Sequence, residues 1–319
     1  MLQLLLGGSG SGKTTLLYQR IRARAEKGEK SILLVPEQFT SSTEGRIYRE
    51  LGDALSGMVE SFSFTSLAEK ILSTEGGAAV QTLSDAGRAV LVRRALEELQ
   101  DNVHYYHRHR RSAAFCQMAA QTIDELKSAG LSGQQLAQLA GACGAESGKL
   151  SELALIFQGY ETLLARSGMD PSDRLELAGA RLEEALARHS LPEFLRNRAV
   201  FIDEFDTFNA PKKRLLGAML AALPSVTVAL CDDGAPLLPG DLSLFSGAKQ
   251  VAAQLRQLAR KNGAEVAVPQ LLRKDLRHRN APGLAAVAEL LETGSCTADA
   301  PAGEVRLFAA PSREEEARA

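Results

Sequence analysis

An apolar run, Leu2 to Leu6, leads directly into Gly7-Gly8-Ser9-Gly10-Ser11-Gly12-Lys13-Thr14, and few folds accommodate that succession. The octet fits GxxxxGK[ST], a loop whose glycines let successive backbone N–H groups converge on phosphate oxygens. Such a loop works between a strand and a helix, because the helix N-terminus brings its positive end to the same point. Both flanks are present: a strand-like run before Gly7 and a helix-like run from Thr14 to Lys27. The cradle is assigned to Gly7, Gly8, Ser9, Gly10, Ser11, Gly12, Lys13, Thr14 and Thr15. Lys13 is expected to reach the β and γ phosphates of a nucleotide, and the Thr14 hydroxyl to bind Mg2+. The plain alternative is a flexible Gly/Ser turn, which has no need of that strand and helix.

At 319 residues the chain exceeds one small core, so one large domain with an insertion, or two domains, is expected. The net charge of -2 and pI of about 6.3 give no global basic field, so any contact with DNA must be a local patch. Cys116, Cys143, Cys231 and Cys296 lie far apart without a CxxC pair, which argues against a zinc site or a disulfide framework and for free thiols. No apolar run has the length of a membrane span, and the N-terminus enters a strand at once. A soluble, cytoplasmic protein without leader or membrane anchor is the expectation. Near the other end, Ser312-Arg313-Glu314-Glu315 has capping-box spacing and opens a helix with no apolar face, so the chain reads as a piece of a longer polypeptide.

Strands and helices alternate at first: strands at 31–35 and 58–61, helices at 43–55 and 65–72, the last capped near Thr65 or Ser66. From 84 to 189 every apolar pattern has helical period, with helices at 85–100, 112–129, 132–140, 149–167 and 172–189. Alternation then returns, with strands at 199–202, 225–231, 264–268 and 304–309 and helices at 210–223 and 242–261. The fold class that follows is α/β, a parallel sheet with an inserted all-helical subdomain.

A phosphate loop needs a second strand ending in acid, because Mg2+ takes oxygen ligands and an attacking water must be oriented. Val200-Phe201-Ile202-Asp203-Glu204 supplies one. Asp203 is placed on the metal with Thr14, and Glu204 is the candidate catalytic base, with Lys13 as the catalytic cation. Taken alone, the pair also fits an ordinary strand end with two solvated acids.

Here the residues resemble a family. GGSGSGKTT, the VPEQFT segment at Val35–Thr40 and FIDEFDTFNAPKKRLL at Phe201–Leu216 look like motifs I, Ia and II of UvrD/Rep-type superfamily 1 helicases. LLVPEQFT, SFSFTSLAEKIL, IDELKSAGLS and EVRLFAAPSREEEARA narrow the resemblance to the AddB family, the B subunits of bacterial AddAB helicase–nucleases, and together span almost the whole chain. The resemblance implies a RecA-like domain from residues 1–84 and 191–319, with 85–190 as its helical insertion. It implies ATP and Mg2+ as ligands, single-stranded DNA and duplex ends as substrate, an AddA-type subunit as partner, no membrane, and a role in processing double-strand breaks for recombination. Gln38 and Thr40, in the motif Ia segment, are then candidate contacts to single-stranded DNA, and from the residues alone the segment equally fits a plain connection between strand and helix. The family's C-terminal nuclease domain and its 4Fe-4S cluster are not expected within this chain, whose cysteine spacing does not match.

Departures from the helicase pattern bear on function. Only six residues precede Gly7, leaving no room for the glutamine motif that reads adenine, and Leu230-Cys231-Asp232-Asp233-Gly234 lacks the glutamine of motif III. The resemblance also places the arginine finger on a second RecA-like domain outside this sequence. A non-motor module that binds nucleotide while scanning DNA or supporting the partner motor is therefore the second reading, and a P-loop kinase for a small metabolite the third.

Two basic runs stand out. His104 to Arg111 mixes cations and aromatics and fits either stacking and phosphate contact with DNA or a solvated loop with its tyrosines packed inward. Arg273 to Arg279 reads as an exposed loop.

Overall fold

Short apolar strands, buried on both faces, build a single all-parallel sheet in the computed structural model, which describes residues 1–144, 147–295, 305 and 309–318. In chain order the strands are β1 (Leu2–Gly7), β2 (Ser31–Leu34), β3 (Val59–Phe62), β4 (Ala199–Ile202), β5 (Ser225–Cys231) and β6 (Gln270–Leu272), arranged β3-β2-β4-β5-β1-β6. Burial on both faces is the condition under which parallel strands are found. Alternate side chains divide between two cores, as the two-residue period of a strand requires. Leu2, Leu4, Leu6, Ile32, Leu34 and Val200 face one core, and Leu5, Leu33 and Phe201 the other.

Helices α1 (Lys13–Ala25) and α2 (Thr40–Leu51) cover the second face, followed by the single turn α3 (Asp53–Ser56). The first face is covered by α4 (Phe64–Glu75), α9 (Pro171–Ala187), α10 (Ala210–Ala222) and α11 (Ser246–Lys261). Between β3 and β4 the chain is helical: α5 (Asp85–Glu98), α6 (Ala113–Ser128), α7 (Gly133–Ala140), α8 (Ser147–Ser167) and then α9. Helices α5 to α8 enclose a separate core of Val92, Leu96, Phe115, Ile123, Phe157 and Tyr160. Leu175, Ala178 and Leu182 of α9 belong instead to the core of the sheet. Two further helices, α12 (Pro282–Thr293) and the exposed turn α13 (Arg313–Glu316), complete the α-helices among the described residues. The α/β class with a helical insertion is as expected.

At the N-terminus of α9, buried Asp170 accepts from the Tyr160 hydroxyl at 2.6 Å and pairs with Lys127 at 2.9 Å, and Lys127 also reaches Asp173 at 2.6 Å. Arg174, 9% exposed, pairs with Glu69 of α4 and donates to the Val80 carbonyl at 2.6 Å. This polar knot joins the helical block to the sheet.

Several elements differ from expectation. The helix at 43–55 is two, α2 and α3, because Gly52 turns the backbone at φ 77. The cap of α4 is Ser63, with Ser66 as the reciprocal partner of a capping box, rather than Thr65 or Ser66. The helix at 242–261 begins only at Ser246, after a loop in which Asp241 caps the Ser243 N–H at 2.8 Å. No strand forms at 264–268. That stretch makes one isolated bridge, Val266 to Leu2, and the edge strand is Gln270–Leu272. The strand expected at 304–309 and Cys296 lie outside the described residues, apart from residues 305 and 309. Among the described residues no helix is long and apolar enough to cross a membrane.

Candidate nucleotide site

Residues 7–12 turn out of β1 and into α1 at the C-terminal edge of the sheet, where ligands collect in open α/β folds. Gly10 and Gly12 take φ of 79 and 89, a left-handed region that a Cβ strains, and Gly12 serves as the N-cap of α1. Helices α4, α5, α6, α7 and α10 each cap their first turn with a Ser or Asn side chain. Helix α1 has no such side-chain cap. Its first N–H groups therefore remain donors without intrahelical partners, as an incoming phosphate requires.

The Lys13 ammonium is folded into its own loop and donates to the carbonyls of Gly7 at 2.7 Å and Gly8 at 2.8 Å. Two of its three N–H groups thus hold the loop's shape, and one is left for a ligand. The buried Ser11 hydroxyl of the same loop has no hydrogen-bond partner.

Strand β4 is not adjacent to β1, because β5 runs between them. Even so, a cavity of about 500 Å3 brings both strand ends together: Lys13, Thr14 and Thr15 line it from one side and Asp203, Glu204 and Asp206 from the other, with Ser9, Gly10, Gly12 and Cys231 also on the wall. Asp203 is 6% exposed and accepts from the Glu204 N–H at 3.1 Å, while its own N–H donates to the Leu34 carbonyl at 3.1 Å. Glu204, two residues beyond β4, stands at φ 63, a strained backbone conformation for a non-glycine residue. Burial raises the pKa of Glu204, the Asp203 charge adds to the rise, and Arg46 and Lys13 oppose it. A carboxyl shifted upward from its ordinary value is better suited to accept a proton near neutrality. Burial likewise raises the Cys231 thiol at the end of β5.

Among the described residues, no group of three or more His, Cys, Asp or Glu could hold a metal ion. A magnesium here would therefore draw on few protein oxygens, the Thr14 hydroxyl and Asp203, and take the rest from phosphate and water, the usual habit of Mg2+. The residues present fit that demand.

Three residues of the site had no sequence signal. Arg46 of α2 lines the same cavity, its guanidinium 4.9 Å above the Tyr18 ring. Leu276 and Arg277 come from the basic run 273–279, which stays exposed as expected but crosses over the phosphate loop. The Leu276 N–H donates to the Gly10 carbonyl at 3.0 Å, and Arg277 donates to the Ser9 hydroxyl at 3.1 Å. Those partners lie some 268 positions apart, beyond any local pattern. Gln38 and Thr40 lie outside this cavity at the exit of β2. Their neighbours Phe39, Ser42 and Thr43 line an adjoining cavity of about 240 Å3 that also touches Thr14, Arg46 and Glu204. After β5, Asp232 closes a tight turn on the Gly234 N–H at 2.7 Å, and Asp233 pairs with Lys249 at 3.3 Å.

Sheet order, loop and acidic strand end define a RecA-like α/β protein of the P-loop class. The chain belongs to the AddB N-terminal family: the family model described as "ADDB, N-terminal" matches residues 4–288. It is similar to proteins named as the B subunit of an ATP-dependent helicase/deoxyribonuclease. The relative from Desulforudis audaxviator is 34% identical over 99% of the chain and 27% of its own length. Those from Moorella thermoacetica and Symbiobacterium thermophilum are 33% and 31% identical over 89% and 100% of the chain, and 25% and 28% of their own lengths. The chain thus spans about a quarter of the length of these curated relatives.

Proposed function

We propose that this chain is the ATP-binding, helicase-like domain of an AddB-type helicase–deoxyribonuclease protein that processes double-strand DNA ends alongside an AddA-type partner. Residues 1–84 and 191–319 serve as the RecA-like domain and 85–190 as its insertion, with α9 shared between them. The observation that carries the reading is the single cavity lined by Lys13 and Thr14 on one side and Asp203 and Glu204 on the other. In it the phosphates lie on the free N–H groups of α1, Lys13 spends its remaining donor on them, and Thr14 and Asp203 hold the magnesium. The metal, when bound, neutralises charge on the transferring phosphoryl group. Glu204 orients a water and takes its proton. Arg277, anchored on Ser9, adds a guanidinium at the phosphates from within the same chain. Gln38 and Thr40 face the DNA strand at the neighbouring sheet edge.

The second reading, nucleotide binding without motor action, draws on the loop after β5. Asp232 and Asp233 hold a turn and Lys249 there, and the segment Leu230 to Gly234 has no glutamine of the kind that couples nucleotide to DNA in the helicase pattern. DNA-stimulated ATP hydrolysis by the full-length protein decides between the two. Glu204→Gln is expected to lower the rate by about 100-fold or more with ATP affinity retained, the size of effect of a general base. Equal rates in wild type and variant would overturn the hydrolytic reading.

A further inference from the structure

His107-Arg108-His109-Arg110-Arg111 lies on the connection between α5 and α6, and the nucleotide site makes no use of it. The N–H groups of His104, Tyr105 and Tyr106 converge on the Glu152 carboxylate of α8, at 2.9, 2.8 and 3.2 Å. Burial works against the charged form of Glu152, but the three N–H bonds together outweigh it and lower its pKa, so the carboxylate is committed to the backbone. Tyr106 and His109 pack on Phe115 at ring distances of 5.3 and 5.6 Å, which fixes both ends of the single 3-10 turn His107–His109. The run is thus an ordered feature of the helical block.

Its charges are left over. Arg108 and Arg111 are exposed and Arg110 half-buried, and none of the three forms an ion pair with a described residue. On α5 the opposite holds: Arg93 and Arg94 pair with Glu97 and Glu98 at 3.1 and 3.0 Å. Three guanidiniums within four residues, carried on an ordered turn and without an ion pair to a described residue, suit a polyanion with repeated phosphates, which guanidinium geometry matches in pairs of hydrogen bonds.

Base stacking is poorly served at this place. Tyr105 is 55% exposed, but the Lys149 ammonium lies 5.3 Å over its ring and Tyr106 meets it edge-on at 5.0 Å, so a base would have to displace a neighbour. Recognition is left to the sugar–phosphate backbone, which favours a duplex over an unstacked strand.

We propose that the turn carrying Arg108, Arg110 and Arg111 is a docking site for the phosphodiester backbone of duplex DNA, without sequence preference. The DNA-directed reading above enters only in naming the polyanion. The test is fluorescence anisotropy of a short blunt duplex, and of a single strand of the same length, against the full chain over a series of salt concentrations. It compares wild type, the triple variant Arg108→Ala/Arg110→Ala/Arg111→Ala, and Arg93→Ala/Arg94→Ala, which removes charges already paired. Loss of three phosphate contacts lowers the slope of log K against log salt by about 2.7, at about 0.9 per contact, and weakens binding by about tenfold or more. The Arg93/Arg94 variant is expected to match wild type, and far-UV circular dichroism and thermal melts to agree among all three, which shows the triple variant folded. A triple variant with wild-type affinity and slope overturns the site. Weakening confined to single-stranded DNA overturns the duplex assignment. A wild-type chain that binds no DNA brings down the DNA-directed reading together with the site, whereas the Glu204→Gln comparison tests hydrolysis alone.

Discussion

Replacing Lys13 by alanine tests the site where its geometry is tightest. The ammonium already donates to Gly7 and Gly8, at 2.7 and 2.8 Å, and keeps one N–H for a phosphate. One charge-assisted hydrogen bond is worth about 1.5–3 kcal/mol, which at about 1.4 kcal/mol per tenfold corresponds to roughly a 10- to 150-fold rise in Kd for MgATP. The upper end is expected, because the variant also releases the two bonds that shape the loop before any ligand arrives. The fold should survive, since Leu17, Tyr18 and Ile21, which seat α1 on the sheet, are untouched. A destabilisation of about 1 kcal/mol would move Tm by only about 2–4 °C in a chain of this size or somewhat smaller. Isothermal titration calorimetry with MgATP, beside a thermal melt, gives both quantities. A folded variant whose Kd lies within about threefold of wild type, less than 1 kcal/mol, would refute the placement of phosphate at this loop.

Two further outcomes follow from particular contacts. Gly12→Ala forces an alanine to φ 89 and brings its Cβ to 2.9 Å from Leu276 Cδ1; a loss of about 1–2 kcal/mol in urea unfolding is expected from the left-handed backbone, and adding Leu276→Ala should not restore it. Full recovery in the double variant would show that the contact, not the backbone, sets the cost. Glu69 is held below its usual pKa by its hydrogen bonds to Arg174. A carboxyl whose folded pKa is depressed stabilises the protein fully above its unfolded value, about 4.3, and the contribution is lost as pH falls from there through the folded value. Glu69→Gln should therefore flatten the pH dependence of Tm in that acid window and leave it unchanged near neutrality; an unaltered acid slope would show the pair to be idle.

Local pattern made much of the sheet legible. Strands 199–202 and 225–231 agree with the structure at both ends, because a largely apolar, β-branched run closed by acid or Pro has few other uses in a parallel sheet. The phosphate loop carries its own context, and its helix follows from it. The edge strand Gln270–Leu272 was not legible: three residues beside Arg273 and Lys274 look like loop, and only pairing with Leu5, Leu6 and Gly7 makes them a strand. Helix α12 was missed behind the Asn-Ala-Pro that opens it, although proline is at home in a first helical turn. Leu276 and Arg277 meet the loop through tertiary contact alone, and Arg46 lies on a helix whose sequence says only that it is amphipathic. In the run 104–111, one of the two tyrosines packs inward and the other does not, a distinction set by Phe115 and Lys149 rather than by neighbours in sequence.

Helix α9 has a mechanical consequence. Its first turn is locked into the helical block through Asp170, its middle is sunk in the sheet through Leu175, Ala178 and Leu182, and its outer face grips Arg214 through Glu176 and Glu183. Arg214 sits on α10, which begins only a few residues after Glu204. The outlying helices and the segment that leads away from Asp203 and Glu204 are thus braced against the same rod, so a variant that loosens the grip on Arg214 is expected to be felt in both places at once.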